Sequence, residues 1–139
     1  MGKEIIIVTI SLGNDGAERI LTELARQWHH DGHRITVIQT SPNRYGTEYA
    51  LPEGIEQIQI HTTSSNKILR FLQEIKALIG ILKQRPNATC LSFLSASSFI
   101  LAISSWFVKN RMVFSERNNP RKVPVGKHQQ MLRNFAFRF

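Results

Sequence analysis

Three groups of residues in this 139-residue chain have types and spacings suited to chemistry. The first is "SLGNDGAERI", Ser11 to Ile20, which follows the apolar run "EIIIVTI". Gly13 and Gly16 stand there as G-x-x-G. A glycine at such a turn lets a ligand approach the backbone, and the unpaired N–H groups at Ala17 and Glu18 can bind an anion or sugar oxygens. The same two glycines also suit a plain strand-to-helix turn, and both readings stand on spacing alone. Asp15 tolerates turn conformations and caps helices well. The second group is Ser95, Ser97 and Ser98, whose hydroxyls suit sugar oxygens. The third is Glu116-Arg117-Asn118, a carboxylate at a strand end followed by groups able to orient oxygens or an anion. A salt bridge from Glu116 to Arg19 or Arg117 is the competing use of that carboxylate.

Other chemistries fit less well. A dinucleotide turn wants G-x-G-x-x-G and an acidic residue about 20 positions later for the ribose hydroxyls. Here one glycine is missing, and the next strand ends in Gln39-Thr40-Ser41 without a carboxylate. No Gly-Lys-Ser/Thr follows for a P-loop. His29, His30 and His33 lie close together, but Asp31-Gly32 interrupts the helix between them, so an exposed helix end is the reading and no metal site is expected. His61 and His128 are isolated. Cys90 stands alone, which excludes an intrachain disulfide framework and suits a reducing cytosol.

These groups need elements to position them. Lys3–Ser11 is a β-branched apolar run, the pattern of a strand buried on both faces. From Ala17, residues Ile20, Leu21, Leu24, Ala25 and Trp28 recur at helical spacing until Asp31-Gly32, and Arg34–Thr40 is a second strand. Gly54–His61 reads as a third strand nearer an edge, after a polar loop from Asn43 to Pro52. Asn66–Pro86 carries the cleanest helical stripe: Ile68, Phe71, Leu72, Ile75, Leu78, Ile79 and Leu82. A strand over Thr89–Ser95, a helix over Ala96–Val108 and a strand over Arg111–Glu116 follow. A last helical pattern begins near Lys127 and is cut off at Phe139.

Right-handed crossovers then predict a Rossmann-like α/β fold: a parallel sheet of order 3-2-1-4-5 with helices on both faces. Ligands bind such sheets at the carboxyl ends of the strands, near the switch in strand order. Gly13–Gly16, Ser95–Ser98 and Glu116–Asn119 would share that crevice.

Net charge is +8, and it is unevenly placed. Residues 1–108 hold 10 Lys/Arg against 9 Asp/Glu, whereas residues 109–139 hold 8 Lys/Arg against Glu116 alone. A basic end favours an anionic partner. No recognition-helix pattern, aromatic RNP motif or zinc spacing supports nucleic acid, so an anionic membrane surface or a diphosphate is preferred. Cys90–Val108 is a 19-residue stretch without charge, which raises a membrane span. Its six serines favour a soluble strand and helix instead.

"SLGNDGAERI" together with "VFSERNNPRK" (Val113–Lys122) resembles the N-terminal half of group 1 (family 4) glycosyltransferases, built from two Rossmann-like domains in the GT-B arrangement. Asp15-Gly16-Ala17-Glu18-Arg19 matches their Gly-Gly-Ala-Glu-Arg turn, with Asp15 departing from the usual glycine. "LSFLSASSFI" (Leu91–Ile100) resembles their fourth strand and its turn, and "FSERNNP" (Phe114–Pro120) their Ser-Glu-Arg-Asn-x-Pro segment. The resemblance spans nearly the whole chain.

It implies transfer of a sugar, with retention, from a nucleotide-sugar donor to a glycan or lipid-linked acceptor, in bacterial polysaccharide or glycolipid assembly. It implies no metal and no cofactor beyond the donor as substrate. The acceptor-side domain would be this chain, the donor being gripped by a C-terminal domain beyond Phe139, so the chain alone is expected to be inactive. Gly13, Asn14, Gly16, Ala17, Ser95, Arg117 and Asn118 would line the acceptor or donor diphosphate, with Glu116 as the catalytic candidate. A carboxylate at Asp15 would repel a diphosphate, so cap and ligand contact both remain open there. The protein is expected in the cytoplasm, peripheral to the inner face of the membrane. Two other assignments remain open: a separate acceptor-binding subunit of a split enzyme, and a dinucleotide oxidoreductase domain. The basic helix over Asn66–Gln84 and the tail "MLRNFAFRF" (Met131–Phe139) admit membrane-surface readings. Packing on the sheet competes for the helix, and self-association through Phe135, Phe137 and Phe139 competes for the tail.

Overall fold

The computed structural model describes residues 2–13, 16–41, 49–93 and 95–115, with Lys127, Gln130, Met131 and Asn134. Five parallel strands form one sheet of order β3-β2-β1-β4-β5, as the crossover rule predicts. In chain order the elements are β1 (Glu4–Thr9), α1 (Gly16–His30), β2 (Arg34–Gln39), β3 (Glu56–Gln59), α2 (Lys67–Lys83), β4 (Thr89–Phe93), α3 (Ser95–Ser105) and β5 (Arg111–Ser115).

The pleat of β1 shows why its run is apolar throughout. Ile6 and Val8 enter a core completed by Ile75, Leu78 and Leu82 of α2 and Ile100 and Leu101 of α3. Ile7 faces the other way, onto Leu21 and Ala25 of α1. Successive side chains of a strand point to opposite faces, so a strand covered on both sides needs apolar residues at every position. Cys90 and Leu91 divide between the two cores in the same manner. Each fully buried leucine, such as Leu78 or Leu82, contributes about 2 kcal/mol by removal from water.

Helix ends follow local chemistry. Beyond α1, Gly32 adopts φ +87°, its N–H bonds the His29 carbonyl at 3.0 Å, and the His33 N–H bonds that of Trp28 at 3.0 Å. This paired closure requires a left-handed residue, which glycine adopts without strain. At the start of α2, Asn66 Oδ1 accepts from the N–H groups of Ile68 (2.9 Å) and Leu69 (3.4 Å), so Asn66 is a cap and not the first helical residue.

Several boundaries move from the sequence reading. Strand β3 shrinks to Glu56–Gln59 from Gly54–His61, because alternation at a sheet edge is read easily beyond the last ladder bond. Ser95 opens α3 instead of closing β4. The uncharged stretch Cys90–Val108 is thus broken at the strand-to-helix turn, and no described helix is long and apolar enough to cross a membrane. The predicted stripe of α2 is only partly used: Ile68 and Leu72 are 70% and 53% exposed, because the sheet and α3 accept a narrower face than the sequence supplies. Of the last helical pattern only Lys127, Gln130, Met131 and Asn134 are described, all helical; the tail phenylalanines and most of the Asn43–Pro52 loop lie outside the described residues.

Candidate functional site

Strands β1 and β4 lie side by side in register, Val8 opposite Ser92. Each runs into a helix at the same sheet edge, β1 into α1 on one face and β4 into α3 on the other. The switch in strand order therefore brings two helix N-termini to one edge, with the positive ends of their dipoles. Residues from the first two sequence groups, Gly13, Gly16, Ala17 and Ser95, belong to this edge. Asn14, Asp15, Glu116, Arg117 and Asn118 lie outside the described residues, though β5 ends at Ser115, directly before Glu116, paired alongside Phe93.

Gly13 is buried behind the fully buried Leu12, whose carbonyl accepts from the Tyr49 N–H at 3.0 Å. Gly16 is different. It is exposed as the first residue of α1, its φ is outside the left-handed region, and a Cβ placed on it would meet nothing within 4 Å. Neither backbone conformation nor internal packing calls for glycine at this position. By contrast Gly54, with φ +91°, is closed in by the His29 ring, 2.8 Å from where a Cβ would stand. Among the described residues nothing closes in Gly16 or Gly80, whereas the fold accounts for Gly54.

The serines separate. Ser98 is fully buried and its Oγ lies 2.8 Å from Ser92 Oγ, within the core. Ser97, also fully buried, donates to the Phe93 carbonyl. Ser104 donates to the Ile100 carbonyl at 2.9 Å and Ser105 to that of Ala102 at 2.6 Å. Ser97 and Ser98 are therefore withdrawn as sugar contacts: their hydroxyls bind the protein itself. Ser95 keeps its place at the N-terminus of α3.

Two polar residues at this edge carry more than the sequence suggests. Glu18, in the first turn of α1, is only 6% exposed. Gln39, the last residue of β2, is fully buried; its Oε1 is 3.4 Å from Gln57 Nε2, and its own Nε2 has no hydrogen-bond partner among the described residues. An unsatisfied buried amide costs about 1–3 kcal/mol. The signal in the sequence is a polar residue closing an otherwise apolar strand, "RITVIQ".

The histidines serve separate neighbours. His29 packs against Gly54, His30 is exposed, and His33 Nδ1 accepts from the Lys3 N–H at 3.1 Å. Burial pushes the Cys90 thiol up to about 12, so it fills the core and is not a nucleophile.

The opposite edge of the sheet holds an open cavity of about 520 Å³, lined by Glu4, Arg34, Glu56 and Arg85 among others. Two of these charges, Arg85 and Glu56, are engaged with one another. Arg85 Nη1 donates to Thr36 Oγ1 at 2.6 Å, and Nη2 donates to Glu56 Oε1 at 2.9 Å. The hydrogen bond from Arg85 holds the Glu56 carboxyl below its ordinary range, and the same bond raises Arg85. The arrangement is a brace between α2, β2 and β3.

A solved glycosyltransferase from Rickettsia africae ESF-5 has a similar fold, with a TM-score of 0.56 and 15% sequence identity over 81% of this chain. The match covers 29% of that structure, so this chain spans under a third of its length. No family model and no curated protein matches the sequence.

Proposed function

We propose that this chain is the acceptor-side domain of a glycosyltransferase of the GT-B kind, moving a sugar from a nucleotide-sugar donor onto a glycan or lipid-linked acceptor with retention. The observation that carries the reading is the meeting of two helix N-termini at one sheet edge, with the exposed Gly16 opening α1. Likeness of fold to a glycosyltransferase and the Ala17-Glu18-Arg19 and Ser115-Glu116-Arg117-Asn118 motifs support it.

In the transfer, the bond from the anomeric carbon to the donor's diphosphate oxygen breaks and a bond to the acceptor hydroxyl oxygen forms. The hydroxyl proton leaves with the departing phosphate or a nearby base. Negative charge grows on the diphosphate, and the amides at Gly16 and Ala17 stabilise charge at that position without reorganising. Gly13 and Asn14 shape the turn that presents them. Ser95 holds the acceptor from α3, and Arg117 and Asn118 orient its oxygens or the diphosphate. Glu116, one residue past β5, contacts the reacting sugar or hydroxyl. The donor nucleotide is held by a second Rossmann-like domain, and the enzyme works at the inner face of a bacterial membrane.

The test is sugar transfer by the protein that carries this domain together with its donor-binding half, from a panel of nucleotide sugars. Glu116→Gln keeps size and removes charge, and is expected to lower kcat by roughly a hundredfold or more, as for loss of a catalytic acid–base group. Unchanged transfer removes Glu116 from the site; absence of transfer from every donor overturns the reading.

A further inference from the structure

Of the four charged side chains that line the cavity at the amino edge, two are spent on each other and two are not. Arg85 and Glu56 are bonded, and Thr36 Oγ1 donates to Glu56 Oε2 at 3.0 Å, so these two are fixed in place. Glu4 and Arg34 differ: among the described residues neither forms an ion pair or a side-chain hydrogen bond. Yet they are register partners on the adjacent strands β1 and β2. Alternation along each strand puts both side chains on the α2 face, with Ile6 of β1 and Ile38 of β2. Neighbouring strands lie about 4.8 Å apart, close enough for opposite charges to close on one another. Instead these two stand apart beside an open cavity of about 520 Å³, a volume in the small-molecule range of roughly 300–1,000 Å³.

The chemistry of the lining selects the occupant. Its four charges sum to zero, two carboxylates against two guanidinium groups, which leaves no excess to attract a phosphate, a carboxylate or a free cation. An apolar molecule fits no better, because sites for such molecules are lined mostly by apolar side chains. Here Ile35 is the one large apolar residue among the described lining. What remains is a mixture of planar donors and acceptors: Arg34 only donates, Glu4 only accepts, and the Gln84 amide does both. A hydroxyl also donates and accepts, so a small ring carrying several hydroxyls satisfies this set without bringing a charge. The free pair and the brace act in one field, since the charge of Glu4 raises Arg85 and that of Arg34 lowers Glu56.

We infer that the amino-edge cavity binds an uncharged sugar, with Arg34 donating to one ring hydroxyl, Glu4 accepting from another, and the Arg85–Glu56 pair forming the fixed wall beside them. A sugar there is separated from Gly16 and Ser95 by the length of β1, roughly 20 Å for six residues. It is a second sugar site, at the opposite edge of the sheet from the crevice where two helices begin. In a role that rests on the glycosyltransferase reading, it holds a glycan chain at a distance from its reacting end. The binding itself needs no sugar donor and stands on the cavity alone.

Ligand-observed NMR of the chain with maltose, cellobiose and lactose tests it, with titration calorimetry for the affinity. At least one of these disaccharides is expected to bind, and the charged sugars glucuronate and glucosamine to bind no more tightly. Glu4→Gln and Arg34→Gln should each weaken binding roughly tenfold, as for loss of a hydrogen bond to a charged group. Neither side chain bonds to the fold, so the thermal midpoint of both variants should stay where it is, which separates lost binding from lost structure. No binding of any of the three disaccharides, binding indifferent to both substitutions, or tighter binding of a charged sugar overturns the inference. So does binding that Gly16→Leu abolishes, because the sugar then sits in the crevice at the other edge. Sugar binding at the cavity of a protein that transfers no sugar leaves the inference standing and removes only the enzymatic reading.

Discussion

At the amino edge of the sheet, several polar side chains are spent on one another. Arg85 reaches Thr36 and Glu56, and Asn110 Nδ2 donates to the carbonyls of Arg85 (2.6 Å) and Ala88 (3.1 Å). At the carboxyl edge, Gly16 stands over open space and two helix N-termini begin from adjacent strands. Both edges belong to the same five strands. The difference teaches how one sheet divides its edges: one locks α2 and β5 to the sheet, and at the other two helices begin. The cavity at the braced edge is lined by Arg85 and Glu56, which are bonded to each other.

Breaking the comparison at the open edge should affect activity without affecting stability. Gly16→Leu fills the space against which the fold places nothing, and transfer is expected to fall roughly a hundredfold, because displacement of a reacting group by an ångström has that effect. The thermal midpoint should not drop, since leucine favours helix over glycine by roughly 0.8 kcal/mol. A parallel loss of stability and activity would return Gly16 to the structural glycines.

At the braced edge the pattern should invert. Asn110→Ala removes the donor from two carbonyls at a buried position and should cost about 1–3 kcal/mol in denaturant unfolding, with KM unaltered. Arg85→Ala should cost less, about 1 kcal/mol, because Glu56 is half exposed and water replaces much of the lost bond. The smallest effect is a pH dependence. Since Arg85 lowers the Glu56 pKa in the folded chain, their bond contributes stability above the ordinary glutamate range and loses it as the pH falls through the lowered value. Acid titration of stability should therefore be shallower in Arg85→Ala than in the unaltered chain. Equal slopes would mean that the brace is geometric and not electrostatic.

Much of this was legible from residue order. The continuous apolar run of β1, the glycine after α1 and the two crossovers led directly to the strand order. The motif around Gly16 was placed at the correct edge. The serines were not legible, because Ser95, Ser97 and Ser98 look alike in sequence and differ only in what their hydroxyls meet. Gln39 was noticed for the carboxylate it lacks, and not for its burial. In α2, periodicity marked Ile68 and Leu72 as core, whereas they are exposed. Periodicity reports that a face is apolar and is silent on how much of it the neighbouring elements can cover.

The sequence by itself determined the parallel sheet, its order and the edge at which Gly16 and Ser95 stand, because hydrophobic period and crossover handedness are local rules with few joint solutions. Only the tertiary structure decided which serine hydroxyls are bound within the protein, which glycine is closed in by a neighbour and which part of α2 faces outward. Those properties depend on what a distant segment places beside each residue, and spacing along the chain does not encode that.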